Sequence, residues 1–436
     1  MRSISMETVE AKRAEILATL KDQTATHEQK VTYLARHAEN FLTVLDEPEG
    51  LDELMRCEQE DRCICNLFEG DAPYRPRYIC PDYPKFMKEG SAFLQLDPPK
   101  DLFEALNNLQ ILYHNVPSIT NYPVYIGDLD LLLEPFVKDL DDETVKKALR
   151  LFLTSVDRTI LDSFCHANIG PTMTRTGMLL MEVEAELQNA VPNLTMRVSK
   201  DTPDEFVMAG IECALRCAKP SFANDRMFRS ELGDDYCIAS CYNGLYKGGG
   251  SYTLCRLLLA GIAKRSKNIQ DFKENQLPYV MDVMARYMDA RVRFLVEESG
   301  FFESNFLALE GLIRRDRFSA MFGLVGMAEC VNDLLAKEGI EAVSYTHLAR
   351  MHKAIAIIMF KLECQVIDRN PDFELEGRDF LRRINYREGT VEVEGKCYPL
   401  RDDDFPTVNP EDCLLYTSSV FSSTYSATAM ASASKC

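Results

Sequence analysis

The chain has 436 residues, 49 of them basic and 68 acidic, and so carries a net charge of −19. That charge repels phosphate backbones and anionic lipid, which argues against a nucleic-acid or membrane-surface role. A hydrophobic share of 46% and a charged share of 27% are those of a globular protein, and the length alone would suit two or three domains.

Residues 1–22 are charged throughout and lack the apolar stretch of a secretory leader. The longest apolar runs, residues 257–263 and 354–360, are far short of a membrane span. With 15 cysteines and no leader, the chain reads as a soluble cytoplasmic protein with reduced thiols rather than a disulfide framework.

Residues 6–46 read as two amphipathic helices, one with Val9, Ile16, Leu17 and Leu20 on a face, the other with Val31, Leu34, Ala35, Ala38 and Leu42. They are expected to cap the body of the protein. Residues 57–84, rich in proline, tyrosine and cysteine, read as loops. Cys57, Cys63, Cys65 and Cys80 have poor spacing for structural zinc, so no metal is expected there.

The run Asn121-Tyr122-Pro123-Val124-Tyr125-Ile126-Gly127 reads as a buried strand. Asp128 and Asp130 after it are taken as caps of a helix starting at Leu131, although paired carboxylates also suit acid–base or cation chemistry. Helical periodicity follows over 144–164 and 177–190, with His166-Ala167-Asn168 in a loop between them. His166 and Asn168 are a donor and acceptor set suited either to substrate contact or to satisfying buried backbone. A strand is expected at 195–198, a helix at 204–218 and a loop at 219–224.

The stretch that most suggests chemistry is Ile238-Ala239-Ser240-Cys241-Tyr242-Asn243-Gly244-Leu245-Tyr246-Lys247-Gly248-Gly249-Gly250-Ser251. A β-prone run precedes Cys241, and glycines that should end regular structure follow it, so the thiol reads as sitting on a loop tip. No histidine lies near it in sequence to activate a nucleophile, and Cys237 with Cys241 has no answering pair for a metal. A buried inert thiol is the ordinary alternative. Helices are expected at 252–265, with Leu254, Leu257, Leu258 and Ile262 inward, and at 274–298, with Val283, Tyr287, Ala290 and Phe294 spaced by three or four.

Six words in one order carry a resemblance. They are Asn66-Leu67-Phe68-Glu69-Gly70-Asp71-Ala72-Pro73-Tyr74-Arg75-Pro76-Arg77-Tyr78, Tyr113-His114-Asn115-Val116-Pro117-Ser118, His166-Ala167-Asn168-Ile169-Gly170-Pro171, Pro192-Asn193-Leu194-Thr195, Ser240-Cys241-Tyr242-Asn243, and Met321-Phe322-Gly323-Leu324-Val325-Gly326-Met327-Ala328-Glu329. Over residues 1–343 the chain resembles the YjjI family of glycyl radical enzymes, distant relatives of pyruvate formate-lyase. The resemblance implies an α/β fold, a ten-stranded barrel surrounded by helices, with a cysteine finger loop inside it. It implies a glycyl radical installed by a radical S-adenosylmethionine activating enzyme, with no other bound cofactor, and a thiyl that abstracts hydrogen from a small-molecule substrate in anaerobic metabolism.

Cys241 matches the radical cysteine, and Ser240, Asn243, His166 and Asn168 are the implied substrate contacts. In many relatives the second residue after that cysteine is a glutamate acting as base. Asn243 stands there and cannot take a proton, so formate-lyase or dehydratase chemistry is not implied. Glu303, Glu310 and Glu329 are alternative acids that more often serve structure. A homodimer is a further expectation.

The resemblance stops at Ser344-Tyr345-Thr346-His347-Leu348, a string of the kind produced by translated sequencing adapters, and a second such string begins at Leu414-Leu415-Tyr416-Thr417-Ser418. Between them, residues 349–413 resemble an internal fragment of class III fructose-1,6-bisphosphatase, through residues 350–363 and Phe405-Pro406-Thr407-Val408-Asn409-Pro410. The chain therefore reads as a chimera with an incomplete barrel. In the joined segment a periodic helix is expected over 349–369 and a hairpin around Glu394-Gly395. Residues 414–436, with seven serines, three threonines and no acid, are expected to be disordered. The phosphatase family's metal-binding His and Asp motifs do not occur, which argues against that activity. No Arg-Val-x-Gly-Tyr glycine loop occurs either, which implies an inactive radical enzyme. A non-catalytic thiol-containing scaffold or binding protein is the competing reading.

Overall fold

The computed structural model describes residues 5–39, 45–55, 62–66, 74–118, 124–159, 165–239 and 243–339, and the backbone of two strands at 390–393 and 396–399. Helices α1 (Met6–Lys21) and α2 (His27–Glu39) form where periodicity placed them. They pack on each other, and α1 buries none of its residues, so the expected cap does not form from its apolar face. An ion pair of 2.6 Å between Glu39 and Arg75 ties α2 to the body. After α3 (Leu51–Met55), the cysteine-rich stretch is not all loop, because β1 (Ile64–Cys65) and β2 (Tyr78–Cys80) lie within it. Helices α4 (Tyr83–Glu89) and α5 (Leu102–His114) follow.

A parallel sheet is then built from repeated strand–helix units. Its strands are β3 (Tyr125–Asp128), β4 (His166–Ile169), β5 (Asn193–Val198) and β6 (Ser221–Asn224), hydrogen-bonded in that order. Helices α6 (Leu129–Leu133) and α7 (Asp142–Thr159) link the first two strands, α8 (Arg175–Leu187) the next pair and α9 (Asp204–Cys217) the last. The loops expected at 166–168 and 219–224 are thus mostly strands. β4 is too short and too uniformly buried to show period-two alternation, as happens in a parallel strand covered on both faces.

Helix α10 (Asp225–Leu232) leads into a separate antiparallel hairpin, β7 (Tyr236–Ala239) and β8 (Asn243–Tyr246). Beyond the turn at Lys247-Gly248, residues 249–258 form a ten-residue strand, β9 (Gly249–Leu258), where sequence periodicity suggested a helix. Helix starts only at α11 (Leu259–Arg265). β9 is the centre of a second sheet. β1 and β2 pair with it antiparallel, and β10 (Phe318–Val325) pairs with it parallel. Its first two glycines are required by close approach: a Cβ at Gly249 would lie 1.9 Å from the Arg317 carbonyl, and one at Gly250 2.1 Å from that of Tyr78.

The short helix α12 (Ile269–Asp271), the long α13 (Leu277–Arg293), the short α14 (Phe301–Ser304) and α15 (Phe306–Leu309), and α16 (Met327–Lys337) cover this second sheet and its flank. α13 buries Val283, Tyr287 and Ala290, as its spacing predicted. One apolar cluster joins the parallel sheet to α5, α7 and α8, and another joins β9 to α11, α13 and α16. Among the described residues no helix is long and apolar enough to cross a membrane. Far along the chain, β11 (Thr390–Val393) and β12 (Lys396–Pro399) pair antiparallel, which is the hairpin expected around Glu394-Gly395. The helix expected at 349–369, the junction 344–348 and the tail 414–436 lie outside the described residues.

Candidate active site around the cysteine hairpin

The hairpin β7–β8 stands beside β3 and β4, and its last backbone pair is Ala239 with Asn243. The three connecting residues, Ser240, Cys241 and Tyr242, lie outside the described residues. The flanks of the thiol are therefore what the structure defines. Cys237, Ile238 and Ala239 are all buried, and Gly244, expected to break the strand, is accommodated within β8 opposite Ile238.

The two strands form their own sheet, so hydrogen bonds to the parallel sheet come from side chains. Asn168 on β4 provides two of them. Its Nδ2 donates to the Ile238 carbonyl at 2.8 Å, and its Oδ1 accepts from the Ile238 N–H at 2.9 Å. Both amide functions are thus committed to backbone, which leaves Asn168 poorly placed for the substrate contact inferred from sequence. His166, two residues before it, is buried at the start of β4, and burial pushes its pKa down to about 4, so the imidazole is neutral near pH 7. Asn243 is half-buried as the first residue of β8.

At the base of the hairpin is a set of charges that sequence reading assigned to helix capping. Asp128 occupies the N-cap position of α6 but makes no capping bond with its side chain. Its Oδ2 instead lies 2.6 Å from Lys247 Nζ and 3.2 Å from Arg197, and its Oδ1 accepts from the Tyr125 hydroxyl at 2.6 Å. Burial alone would raise this carboxyl, but Arg197 and Lys247 outweigh it and hold the group below the usual aspartate range. Asp130 accepts from the Gly170 N–H at 2.9 Å and from Thr174 Oγ1 at 3.1 Å. Burial, with Asp128 close by, pushes Asp130 up to about 7. α6 begins at Leu129, so neither acid caps a helix starting at Leu131.

Tyr236 completes this base. Its hydroxyl donates to Asp225 Oδ1 at 2.6 Å, its ring stacks on Phe228 with centroids 5.5 Å apart, and the Arg197 guanidinium lies 5.7 Å from its centroid. Asp225 and Arg197 were not legible as partners, since each lies on a different strand–helix junction. Elsewhere, buried Lys219 lies 2.7 Å from Glu184 and donates to the Pro192 carbonyl at 3.0 Å.

Two buried thiols near the hairpin, Cys80 and Cys165, are held protonated. Burial pushes Cys165 up to about 12, and burial together with a hydrogen bond to Cys237 raises Cys80. Such surroundings suit hydrogen-atom exchange at neutral S–H better than ionic attack by a thiolate. Among the described residues no three His, Cys, Asp or Glu side chains are grouped to hold a metal ion. Glu310, one of the alternative acids, accepts from the Phe93 N–H at 2.7 Å and serves structure.

The family model for YjjI-like glycyl radical enzymes matches residues 25–382. The chain belongs to this family. The chain is 45% identical over 350 residues to an uncharacterized protein of Haemophilus influenzae, covering 80% of this chain and 67% of that one. It is 43% identical over 320 residues to the uncharacterized protein YjjI of Escherichia coli K12, with 72% and 61% covered. The chain thus spans about two thirds of the length of these relatives.

A separate match, 54% identical over 65 residues, is to the class 3 fructose-1,6-bisphosphatase of Alkaliphilus metalliredigens, covering 15% of this chain and 10% of that protein. In three dimensions the chain resembles the anaerobic ribonucleotide reductase of Thermotoga maritima, whose structure holds dATP and CTP, with a TM-score of 0.62 at 10% identity over 85% of this chain and 74% of that one. It also resembles the B12-independent glycerol dehydratase of Clostridium butyricum, with a TM-score of 0.54 at 11% identity over 85% and 70%. The fold is accordingly the α/β barrel-like fold of glycyl radical enzymes.

Proposed function

We propose that Cys241 acts as the hydrogen-abstracting thiol of a glycyl radical enzyme that works on a small-molecule substrate. The observation that supports this most is the position of Cys241 in the sequence between buried β7 and half-buried β8, a hairpin beside the parallel sheet of a chain whose family match runs through it. The glycyl radical, installed by an activating enzyme, supplies the unpaired electron in this family. The chain's own part is to hold the thiol neutral and shielded from water and from other thiols. His166, Asn243 and Ser240 are proposed as substrate contacts, and Asn168 as a support of the hairpin. Neutral His166 would offer a hydrogen bond without competing for a proton at pH 7. The nine described cysteines are all free thiols, which supports a reducing, cytoplasmic setting, and a homodimer is part of the same proposal.

The 436 residues contain no Arg-Val-x-Gly-Tyr segment, so the polypeptide of this sequence is proposed to store no glycyl radical and to be inactive by itself. The domain division goes with this: radical-enzyme residues 1–343, a junction at 344–348, a phosphatase-like fragment at 349–413 and a tail at 414–436. Anaerobic treatment with the activating enzyme and S-adenosylmethionine, read by electron paramagnetic resonance, should give no glycyl doublet. A clear doublet would overturn the inactivity. In a chain extended with a family glycine loop, Cys241→Ala should keep the doublet and lose turnover, and surviving turnover would shift the role to Cys237.

A further inference from the structure

We infer that Asn168 is a positioning residue for the cysteine hairpin, substituting for a missing strand neighbour. The inference rests on the reading of Cys241 as the reactive thiol. An isolated two-stranded hairpin is marginal in water, and among the described residues this one shares no backbone ladder with either larger sheet. Ile238 is paired with Gly244 across the hairpin, yet its N–H and C=O both face Asn168. In an antiparallel pair these outward groups belong to the edge that another strand would satisfy. The side-chain amide of Asn168 offers one acceptor and one donor in the plane of a peptide group, and so ends the edge with a single residue. Oxygen and nitrogen are assigned without ambiguity, since the acceptor must meet the N–H and the donor the C=O.

The clamp acts three residues before Cys241. It is fully buried, as are its partner Ile238 and the intervening Ala239. The base of the hairpin is fixed separately by Lys247 on Asp128 and by the Lys247 N–H on the Asp235 carbonyl at 2.8 Å. Asn168 therefore controls the upper half of the hairpin, the part next to the thiol, while the charges control the lower half. β4 supplies the residue because it lies beside β7 and is held on both edges, between β3 and β5.

Asn168→Asp tests this with a signal that general destabilisation does not produce. The aspartate is nearly isosteric, but its carboxylate puts an acceptor against the Ile238 carbonyl, whereas its protonated form restores a donor. The rate of alkylation of Cys241 by iodoacetamide, resolved by peptide mass spectrometry, is compared between variant and parent at each pH, so that thiolate ionisation cancels in the ratio. The ratio should be on the order of tenfold at high pH and fall toward one as the aspartate is protonated. Leu153→Ala, a core truncation in α7, serves as a control for global loosening and should give a ratio without that pH dependence.

A ratio near one at every pH, or a raised ratio in Asn168→Asp that is flat with pH, would overturn the positioning role. So would the same pH profile in Leu153→Ala. Because the readout needs no radical, its failure is distinguishable from failure of the thiyl proposal, which the Cys241→Ala turnover experiment decides.

Discussion

The two large sheets are held together in different ways. The parallel sheet β3–β6 is wholly buried along β3 and β4 and includes buried ion pairs, of Asp128 with Arg197 and Lys247 and of Glu184 with Lys219. The sheet around β9 depends on the absence of side chains, since Gly249 and Gly250 let β9 lie against the Arg317 and Tyr78 carbonyls. The first sheet should therefore fail when a charge loses its partner, and the second when a single methyl group is added.

The sharpest way to break that contrast is Gly249→Ala. A Cβ 1.9 Å from a backbone oxygen has no flexible neighbour to displace, so a loss of about 4 kcal/mol or more, or failure to fold, is expected in urea unfolding. A loss under about 1 kcal/mol would show that β9 can move. In the parallel sheet, Lys219→Ala leaves Glu184 buried without its counter-charge and should cost about 3–5 kcal/mol by the same measurement. If Lys219→Ala proved neutral, charge pairing would not be what distinguishes this sheet.

Asp130→Asn sharpens the comparison through pH. The folded chain keeps the Asp130 proton up to about 7, while the unfolded chain releases it near the ordinary 3.8. The contribution of Asp130 is thus complete below the unfolded value and lost as pH rises through about 7. Buried His166 works in the opposite direction, losing its contribution as pH falls from 6.5 toward 4. Unfolding midpoints of Asp130→Asn from pH 4 to 7.5 should therefore lack the alkaline fall expected of the parent, and an unchanged profile would remove Asp130 from the account. The smallest effect is expected for Asp235→Ala. The pair of this exposed side chain with Arg317, at 3.1 Å, should contribute about 1 kcal/mol or less.

The legibility of the chain followed the length of its elements. α7, α8, α9 and α13 were readable because several turns of core-facing residues repeat at helical spacing. β4 and β6, four residues each, read as loops in the sequence because alternation has no length to develop, β4 being buried throughout and β6 only at Ala223. β9 reads as a helix in the sequence because Leu254, Leu257 and Leu258 fit that period. Its glycines signalled a break when they in fact mark a strand pressed between two others.

By itself, then, the sequence determined the longer helices, the family words and the cysteine that follows a β-prone run, since these depend on residues near one another in the chain. Tertiary structure alone decided that Asp128 pairs with Arg197 and Lys247, and that Asn168 holds Ile238, 70 residues away. The physical reason is that a buried polar group must find a partner wherever the fold brings one, and the identity of that partner is not encoded in local spacing.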